Sequence, residues 1–325
     1  MSTTIATDQA EPQTKPTTFR IIHKTEYRYD APASLCYNEA RLLPRTFSNA
    51  RVQQLCLTTN VRVEPAWDDH RERTDFYGNR VLYYSIRQPH EAMSITVTSR
   101  VQLLPIPSNE VQAGSDRATP AASQPGGPPW ESVRAQLRGD LAPAALEARQ
   151  FVMSSPLVPI LPEAARYAAT SFSLNRPIIS AAQDLMARIY RDFTFMPGVT
   201  TIATPLEEVL TTRRGVCQDF AQLMIGCLRA QGLAARYVSG YLETLPPPGQ
   251  VKLQGVDASH AWCALYVPDV GWLDFDPTNN LTPHDQHITL GWGRDFADVT
   301  PLKGIFFGDG RHQLKVSVDM ERVDG

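Results

Sequence analysis

The sequence has 325 residues, a formal net charge of −3, 42% hydrophobic residues and 20% charged residues. This length allows two domains with a substantial buried core, and the composition is typical of a soluble globular protein. The chain is slightly acidic and lacks an apolar run of the roughly 18 residues that span a membrane, so we expect neither a nucleic-acid nor a membrane partner.

The cysteines argue against a disulfide framework. Their number is odd, they include no C-x-x-C pair, and they are widely spaced, at Cys36, Cys56, Cys217, Cys227 and Cys263. Free thiols suit a reducing compartment, so we expect a cytoplasmic protein. The seven histidines are scattered along the chain. Because no metal-ligand spacing results, we predict no metal and no other cofactor.

The N-terminal third of the chain has the pattern of a β-domain. Residues 1–17 lack the basic head and apolar core of a secretory signal and predict a disordered tail. Residues 18–105 contain about six or seven short strand-forming runs closed by Pro, Gly or Asn. A tight hairpin turn is predicted at Tyr77-Gly78-Asn79-Arg80, because glycine tolerates the positive φ of such turns. This density of strands predicts a β-sandwich.

The remainder of the chain changes to helical periodicity. Residues 106–129 are poor in large apolar side chains and rich in Pro, Gly, Ser, Ala and Gln, which predicts a linker or a long surface loop. Helices are predicted from residue 130 onward, with a break near Pro143. Residues 312–323 alternate cleanly and predict a closing strand. The whole chain is therefore predicted to be an α+β protein whose second domain covers residues 130–325.

The strongest helix signal ends at Gly232 and places Cys217 in the first turn. Unpaired N–H groups and the positive end of the helix dipole favour a thiolate there and can also hold an oxyanion. Gln218 could offer its side-chain amide to that oxyanion, whereas Asp219 could cap the helix or hold a neighbouring loop. Upstream, Phe195 could line a substrate groove or pack as an ordinary aromatic residue.

A β-hairpin is predicted after this helix. His260 opens a strand rich in aromatic residues, and the turn lies around Asp269 or Val270. Side chains alternate along strands, so two even-numbered residues can share a face only across a loop with an odd number of residues. Asp276 is the preferred partner of His260 because it lies at the strand end, where a site opens to ligand. Asp274 has the same parity and is the alternative.

These segments carry a family resemblance. GVCQDFA, SHAWCALYVPDVGW and DFDPTN resemble the core of the transglutaminase-like superfamily, in detail over residues 180–282. The fold implied is a papain-like or transglutaminase-like core with a nucleophile helix packed on an antiparallel sheet. The resemblance implies that Cys217 is the nucleophile, His260 the base and Asp276 the orienting acid. The segment RLLPR and the D-x-x-G-N turn that begins at Asp75 also resemble the N-terminal domain of bacterial members. The remaining histidines are assigned no catalytic role: His23, His70, His90, His284, His287 and His312.

The activity implied is acyl transfer from an amide bond of a peptide or protein substrate. Water as the second nucleophile gives a cysteine peptidase or amidase, and an amine gives a protein-glutamine gamma-glutamyltransferase. Hydrolysis is preferred, because the cross-linking enzymes of the family use an upstream tryptophan and none lies between Trp130 and Cys217. A third hypothesis is a non-catalytic binding module, since some members of the superfamily have lost catalysis.

Overall fold

The computed structural model describes residues 15–106, 126–244, 258–308 and 311–323. The predicted tail and the predicted linker fall almost entirely outside the described residues, as does the proline-rich loop ahead of His260. Within the described ranges, no helix combines the length and the apolar character needed to cross a lipid bilayer.

The N-terminal region folds as two antiparallel sheets that pack face to face. Its strands are β1 (Thr17–Ala33), β2 (Leu35–Ala40), β3 (Phe47–Ser48), β4 (Val52–Glu64), β5 (Asp69–Thr74), β6 (Arg80–Ile86) and β7 (His90–Pro105). Two strands from the C-terminal end join them, β14 (Leu302–Phe307) and β15 (His312–Val323). The strand orders are β15-β1-β7-β4-β3 and β14-β2-β6-β5. Buried side chains from both sheets, such as Tyr84 and Ile95, fill the space between them, which confirms the predicted β-sandwich.

The C-terminal strands differ from the prediction. The sequence assigned them to the second domain, but β15 pairs with β1 from Thr18↔Val323 to Tyr29↔His312. Strand β14 pairs with β2 in the other sheet. Alternating side chains identify a strand without specifying which sheet edge accepts it. The β-domain is thus built from both ends of the chain.

The second region consists of helices packed on a four-stranded antiparallel sheet. The helices are α1 (Trp130–Gly139), α2 (Pro143–Arg149), α3 (Pro162–Ala169), α4 (Ile178–Asp192), α5 (Leu206–Thr212) and α6 (Cys217–Ala230). The sheet strands are β10 (Ala235–Leu242), β11 (Ala258–Val267), β12 (Gly271–Phe275) and β13 (His287–Gly293), in the order β12-β11-β10-β13. Two short strands, β8 (Thr194–Phe195) and β9 (Arg214–Gly215), pair in parallel ahead of α6. Helix α6 lies at the centre of the main core and packs on β10 and β11. This arrangement confirms the predicted α+β fold.

The hairpin of β11 and β12 has the predicted odd-length loop. Val267 pairs with Gly271, which leaves residues 268–270 as the loop, centred on Asp269. Asp269 adopts a φ of 64°, a left-handed conformation that Asp tolerates better than most residues. Because the loop is odd, the even-numbered residues of both strands share one face of the sheet.

The edge strand β13 contains a bulge that reverses its alternation. On one side of the bulge Val238 pairs with Trp292, and on the other Leu242 pairs with His287. Leu290 is the extra residue, so the sheet face that carries the even-numbered residues of β10 shows odd-numbered β13 residues before the bulge and even-numbered residues after it. His287 therefore lies on the face that carries the even-numbered residues of β10 and β11.

A glycine makes this close pairing possible. Gly240 pairs directly with His260. A Cβ added to Gly240 would lie 2.1 Å from the carbonyl oxygen of Ile288 and 2.5 Å from the ring of Trp262. Only glycine can therefore occupy this point of β10 without displacing β13 or the indole.

Candidate active site

The half-buried thiol of Cys217 begins helix α6. The carboxylate of Asp219 folds back so that its Oδ2 accepts the backbone N–H of Val216 at 2.8 Å. The contact is close: a Cβ on Gly215 would lie 2.7 Å from the same oxygen. The helix cap considered for Asp219 in the sequence is therefore present, and it fixes the first turn that carries the thiol.

Asp219 also holds a neighbouring loop. Its Oδ2 accepts a hydrogen bond from Oγ1 of Thr200 at 2.6 Å. Burial raises the pKa of Asp219, and the hydrogen bonds from Thr200 and Val216 partly oppose that effect. One carboxylate thus performs both structural roles proposed for it, joining the start of α6 to the loop that precedes α5.

Apolar side chains are exposed on β8 and in the loop that follows it. Phe195 pairs with Gly215 in the short β8–β9 ladder and is 52% exposed, with its ring 6.5 Å from that of Phe220. Val199 and Ile202 in the following loop are exposed as well. Phe195 is thus a surface residue near Cys217 rather than a buried core residue, and its contact with substrate stays a prediction. So does the oxyanion role of Gln218, which lies half-buried in the first turn of α6.

His260 links the thiol to a buried carboxylate. Its Nε2 lies 2.8 Å from Oδ2 of Asp276, and both side chains are almost fully buried. The imidazole also interacts with the side chain of Cys217. Burial lowers the pKa of His260, but hydrogen bonds and negative charge from Asp276 and Cys217 outweigh that effect and raise it to about 10. The site therefore favours an imidazolium between two acidic groups.

Asp276 accepts hydrogen bonds from five donors in the part of the chain that the structure describes. Oδ2 accepts from His260, from Nε2 of His287 at 3.1 Å and from Nδ2 of Asn279 at 2.8 Å. Oδ1 accepts the backbone N–H groups of Thr278 at 2.9 Å and Asn279 at 3.2 Å. Burial alone would raise the pKa of Asp276, but the hydrogen bonds from the two histidines hold it well below its usual range. The group therefore stays ionised and fixed in orientation.

The alternative acid, Asp274, is occupied elsewhere. Its Oδ1 accepts from Nε1 of Trp262 at 3.2 Å, and its Oδ2 accepts from Nδ2 of Asn49 at 2.6 Å. Burial raises the pKa of Asp274 to about 6. Although it shares the sheet face of His260, the geometry pairs His260 with Asp276. Of the two acids that the sequence left open, the structure thus joins only the preferred one to the imidazole.

Two residues of this site were missed by the sequence analysis. His287 was assigned no catalytic role, and the bulge in β13 that brings it to Asp276 breaks the parity on which strand reasoning depends. Asn279 could have been found, because an Asx-type turn after Asp276 returns neighbouring polar groups to the aspartate. The local geometry of one turn would have sufficed for Asn279, whereas His287 reaches the site through a bulge that the sequence of β13 does not indicate.

The same cluster has the spacing of a metal site. The donor atoms of His260, Asp276 and His287 lie within 4.8 Å of one another. However, Oδ2 of Asp276 also accepts the amide N–H of Asn279, a group that cannot ligate a metal through its nitrogen. Three N–H donors on one oxygen form a complete hydrogen-bond network, so the donor set fits proton chemistry better than metal ligation.

Comparison with known proteins places both regions in one family. Residues 19–102 match the bacterial transglutaminase-like N-terminal region, and residues 166–277 match the transglutaminase-like superfamily. The uncharacterized protein Rv2569c of Mycobacterium tuberculosis is 40% identical over 313 residues, covering 94% of this chain and 93% of that protein. A protein-glutamine gamma-glutamyltransferase of Pseudomonas aeruginosa is 34% identical over 109 residues, covering 31% of this chain and 16% of that protein.

A solved structure shows the same fold over nearly the whole chain. It is described as a putative cysteine protease from Cytophaga hutchinsonii and superposes with a TM-score of 0.68. The match covers 96% of this chain and 92% of that one at 20% sequence identity, which supports the fold and nothing beyond it. The matches of both regions to the family models show that the chain is a member of the transglutaminase-like superfamily that carries the bacterial N-terminal region ahead of its core.

Proposed function

We propose that this protein is a cysteine-dependent hydrolase of amide bonds, a peptidase or amidase. The observation that carries the proposal is the position of His260, whose imidazole bonds to the buried carboxylate of Asp276 and interacts with the thiol of Cys217. A thiol, an imidazole and an orienting carboxylate are the three parts of an activated-cysteine site. Family membership supports a thiol enzyme at the coarser level.

The proposed reaction begins with the Cys217 thiolate. Its sulfur attacks the amide carbonyl carbon, and N–H groups in the first turn of α6 stabilise the oxyanion. The imidazolium of His260 then donates its proton to the departing amine as the C–N bond breaks, which leaves a thioester. A water molecule gives its proton to His260 and attacks the thioester carbonyl, releasing the carboxylic acid and the thiolate. Asp276 stays ionised throughout and keeps the imidazole oriented.

The surroundings of the thiol favour water as the acceptor. The upstream tryptophan that lies nearest in sequence, Trp130, is buried on α1, where its Nε1 donates to the carbonyl oxygen of Ser173. It therefore supplies no oxyanion donor. The exposed apolar side chains of Phe195 and Ile202 suit an extended peptide with apolar residues, lying across an open surface.

A second candidate is transfer of the acyl group to an amine. The local identity with the Pseudomonas gamma-glutamyltransferase favours it. Hydrolysis and transfer share the thioester step. The two functions differ only in what enters after the first amine leaves.

The test uses the full chain and its Cys217→Ala variant. Apolar-rich and glutamine-containing peptides are incubated with and without a fluorescent primary amine, and the products are followed by mass spectrometry. We expect hydrolysis by the wild type and none by the variant. Amine incorporation above hydrolysis would instead support the transferase.

Activation of the thiol is measured separately. The rate of alkylation by iodoacetamide near pH 6 is compared with that of a Cys217→Ser variant, which subtracts labelling of the half-buried Cys56. A rate at Cys217 no greater than that of a free thiol would overturn both enzymatic functions and leave a binding module.

A further inference from the structure

His287 contacts the site without contacting the thiol. Its side chain is 2% exposed, and its Nε2 lies 3.1 Å from Oδ2 of Asp276. The ring packs edge-on against Trp262 at 5.1 Å and lies 5.8 Å from the ring of His260. Nδ1 is buried and has no hydrogen-bond partner among the described residues. The proton of a neutral ring is therefore placed on Nε2, where the carboxylate accepts it.

The charge state of His287 fits a neutral donor. Burial lowers its pKa, and the positive charges of His260 and His284 act in the same direction, while Asp276 opposes them. A neutral imidazole adds an N–H donor to the carboxylate without adding a second positive charge. Asp276 can therefore keep its ion pair with His260 alone.

The N-terminal β-domain holds the strand that presents His287. Gln54 on β4 bonds Thr289 with both ends of its amide: Oε1 accepts the N–H of Thr289 at 2.8 Å, and Nε2 donates to its carbonyl at 2.7 Å. Asn79 does the same for Trp292, accepting its N–H at 2.9 Å and donating to its carbonyl at 2.8 Å. A Cβ on Gly291 would lie 2.6 Å from Oδ1 of Asn79. The two amides flank the bulge of β13 on either side.

Gln54 and Asn79, called here the amide clamp, stabilise the bulge of β13. A bulge leaves one residue outside the ladder, and β13 is also the edge strand of its sheet, so its outer backbone groups have no strand partner. The clamp bonds those outer groups on Thr289 and Trp292, which lie on either side of the bulge. Without the bulge, the alternation of β13 would turn His287 to the opposite face of the sheet, away from Asp276.

We propose that His287 is a positioning residue for the hydrolase reaction, and that the N-terminal β-domain contributes to the active site by clamping the β13 bulge that presents it. The inference rests on the proposed function for its kinetic consequence. Its physical content is that the orientation of Asp276 depends on His287, and that His287 depends on Gln54 and Asn79.

The first experiment replaces His287. His287→Leu removes the donor, and His287→Gln restores an N–H near the position of Nε2. His90→Leu is the matched control, because His90 is also buried with one unpartnered ring nitrogen but lies in the β-domain. We expect His287→Leu to lower kcat by up to about 10²-fold with little change in KM, since misplacement of a catalytic group costs about that much. His287→Gln should recover most of the loss, and His90→Leu should retain wild-type turnover.

A second measurement does not depend on turnover. The imidazole N–H proton of His260 that bonds Asp276 is followed by NMR in each folded variant. We expect its resonance to shift in His287→Leu and return in His287→Gln. An unchanged resonance together with unchanged kcat would overturn the proposal. If the wild-type thiol proves unreactive, the hydrolase fails, but the NMR result still decides whether His287 positions Asp276.

The clamp is tested through Asn79. Asn79→Ala should reproduce the NMR shift and the loss of kcat seen in His287→Leu. The control is Asn38→Ala, because Asn38 is a buried amide of the β-domain that bonds Cys36 and does not contact β13. Wild-type behaviour of folded Asn79→Ala would show that the bulge persists without the clamp and would remove the β-domain from the proposal.

Discussion

Nε1 of Trp262 lies 3.2 Å from Oδ1 of Asp274 and donates a hydrogen bond to it. This bond distinguishes Asp274 from Asp276, the other carboxylate on the same sheet face. Asp274 receives the indole N–H and the amide of Asn49, whereas Asp276 receives the imidazole of His260. The two acids are two residues apart, the spacing of side chains on one face of a strand. Asp274 therefore bonds residues that pack around the sheet, whereas Asp276 orients the imidazole of His260.

We expect Asp276→Asn to lower kcat by about 10⁴-fold, as replacement of a triad acid does when it disturbs the imidazole tautomer. Asp274→Asn should retain most of the turnover but lower the free energy of unfolding by about 1–3 kcal/mol, because buried donors lose their ionised acceptor. Kinetics on an amide substrate and urea unfolding of both variants check this. Greater loss of turnover in Asp274→Asn would show that the acid has been misassigned.

Stability should fall as the pH rises above neutrality. The folded-state pKa of His260 is raised to about 10 from an ordinary value of 6.5, mainly by Asp276 and Cys217 acting against burial. The stabilisation is therefore complete below pH 6.5 and is lost as the pH rises toward 10, by at most about 1.4 kcal/mol per pH unit for one proton. Chemical unfolding between pH 7 and pH 9.5 measures the slope. His260→Gln should flatten it, and an equally steep slope in that variant would contradict the assignment.

The bond between Thr200 and Asp219 should hold the loop ahead of α5 in place. Thr200→Val keeps the shape of the side chain but removes the hydroxyl that donates to the carboxylate at 2.6 Å. We expect the free energy of unfolding to fall by about 1 kcal/mol and limited proteolysis between residues 196 and 205 to become faster. Thr200→Ser, which keeps the hydroxyl, is the control. Equal proteolysis of both variants would mean that the loop is held by other contacts.

Chelation should leave turnover unchanged. The hydrogen bonds around Oδ2 of Asp276 occupy the positions where a metal would bind, and Asn279 supplies one of them. Dialysis against EDTA should therefore preserve kcat, while added Zn²⁺ should inhibit by competing for His260 and Cys217. Loss of activity on chelation, with recovery on adding one metal, would instead establish His260, Asp276 and His287 as a metal site.

The sequence predicted the parts of this site that depend on local pattern. Helical spacing located Cys217 at the start of α6. The odd number of residues in the hairpin loop predicted that the even-numbered residues His260 and Asp276 lie on the same face of the sheet. Parity alone could not choose between Asp274 and Asp276, because the choice depends on Trp262 and Asn49, which are distant in sequence. The family resemblance gave the expected roles of Cys217, His260 and Asp276, and the structure gave the hydrogen bond between His260 and Asp276.

His287 lay beyond such reasoning for a different reason. A one-residue bulge reverses the alternation of side chains between the two faces of a strand. The residues of β13 do not indicate where the bulge lies. The amides that hold the bulge, Gln54 and Asn79, come from another domain. The C-terminal strands were misplaced for the same reason, since their partners lie at the opposite end of the chain.

The pairing of β15 with β1 sets an order on biosynthesis. The ribosome releases β1 long before residues 312–323, so one edge of the first sheet stays open while the helices, including α6 with Cys217, are made. Docking of β15 then covers that edge of the five-stranded sheet. A nascent or clipped chain that lacks residues 312–323 would therefore present this edge of β1 to other chains, and an exposed sheet edge promotes aggregation.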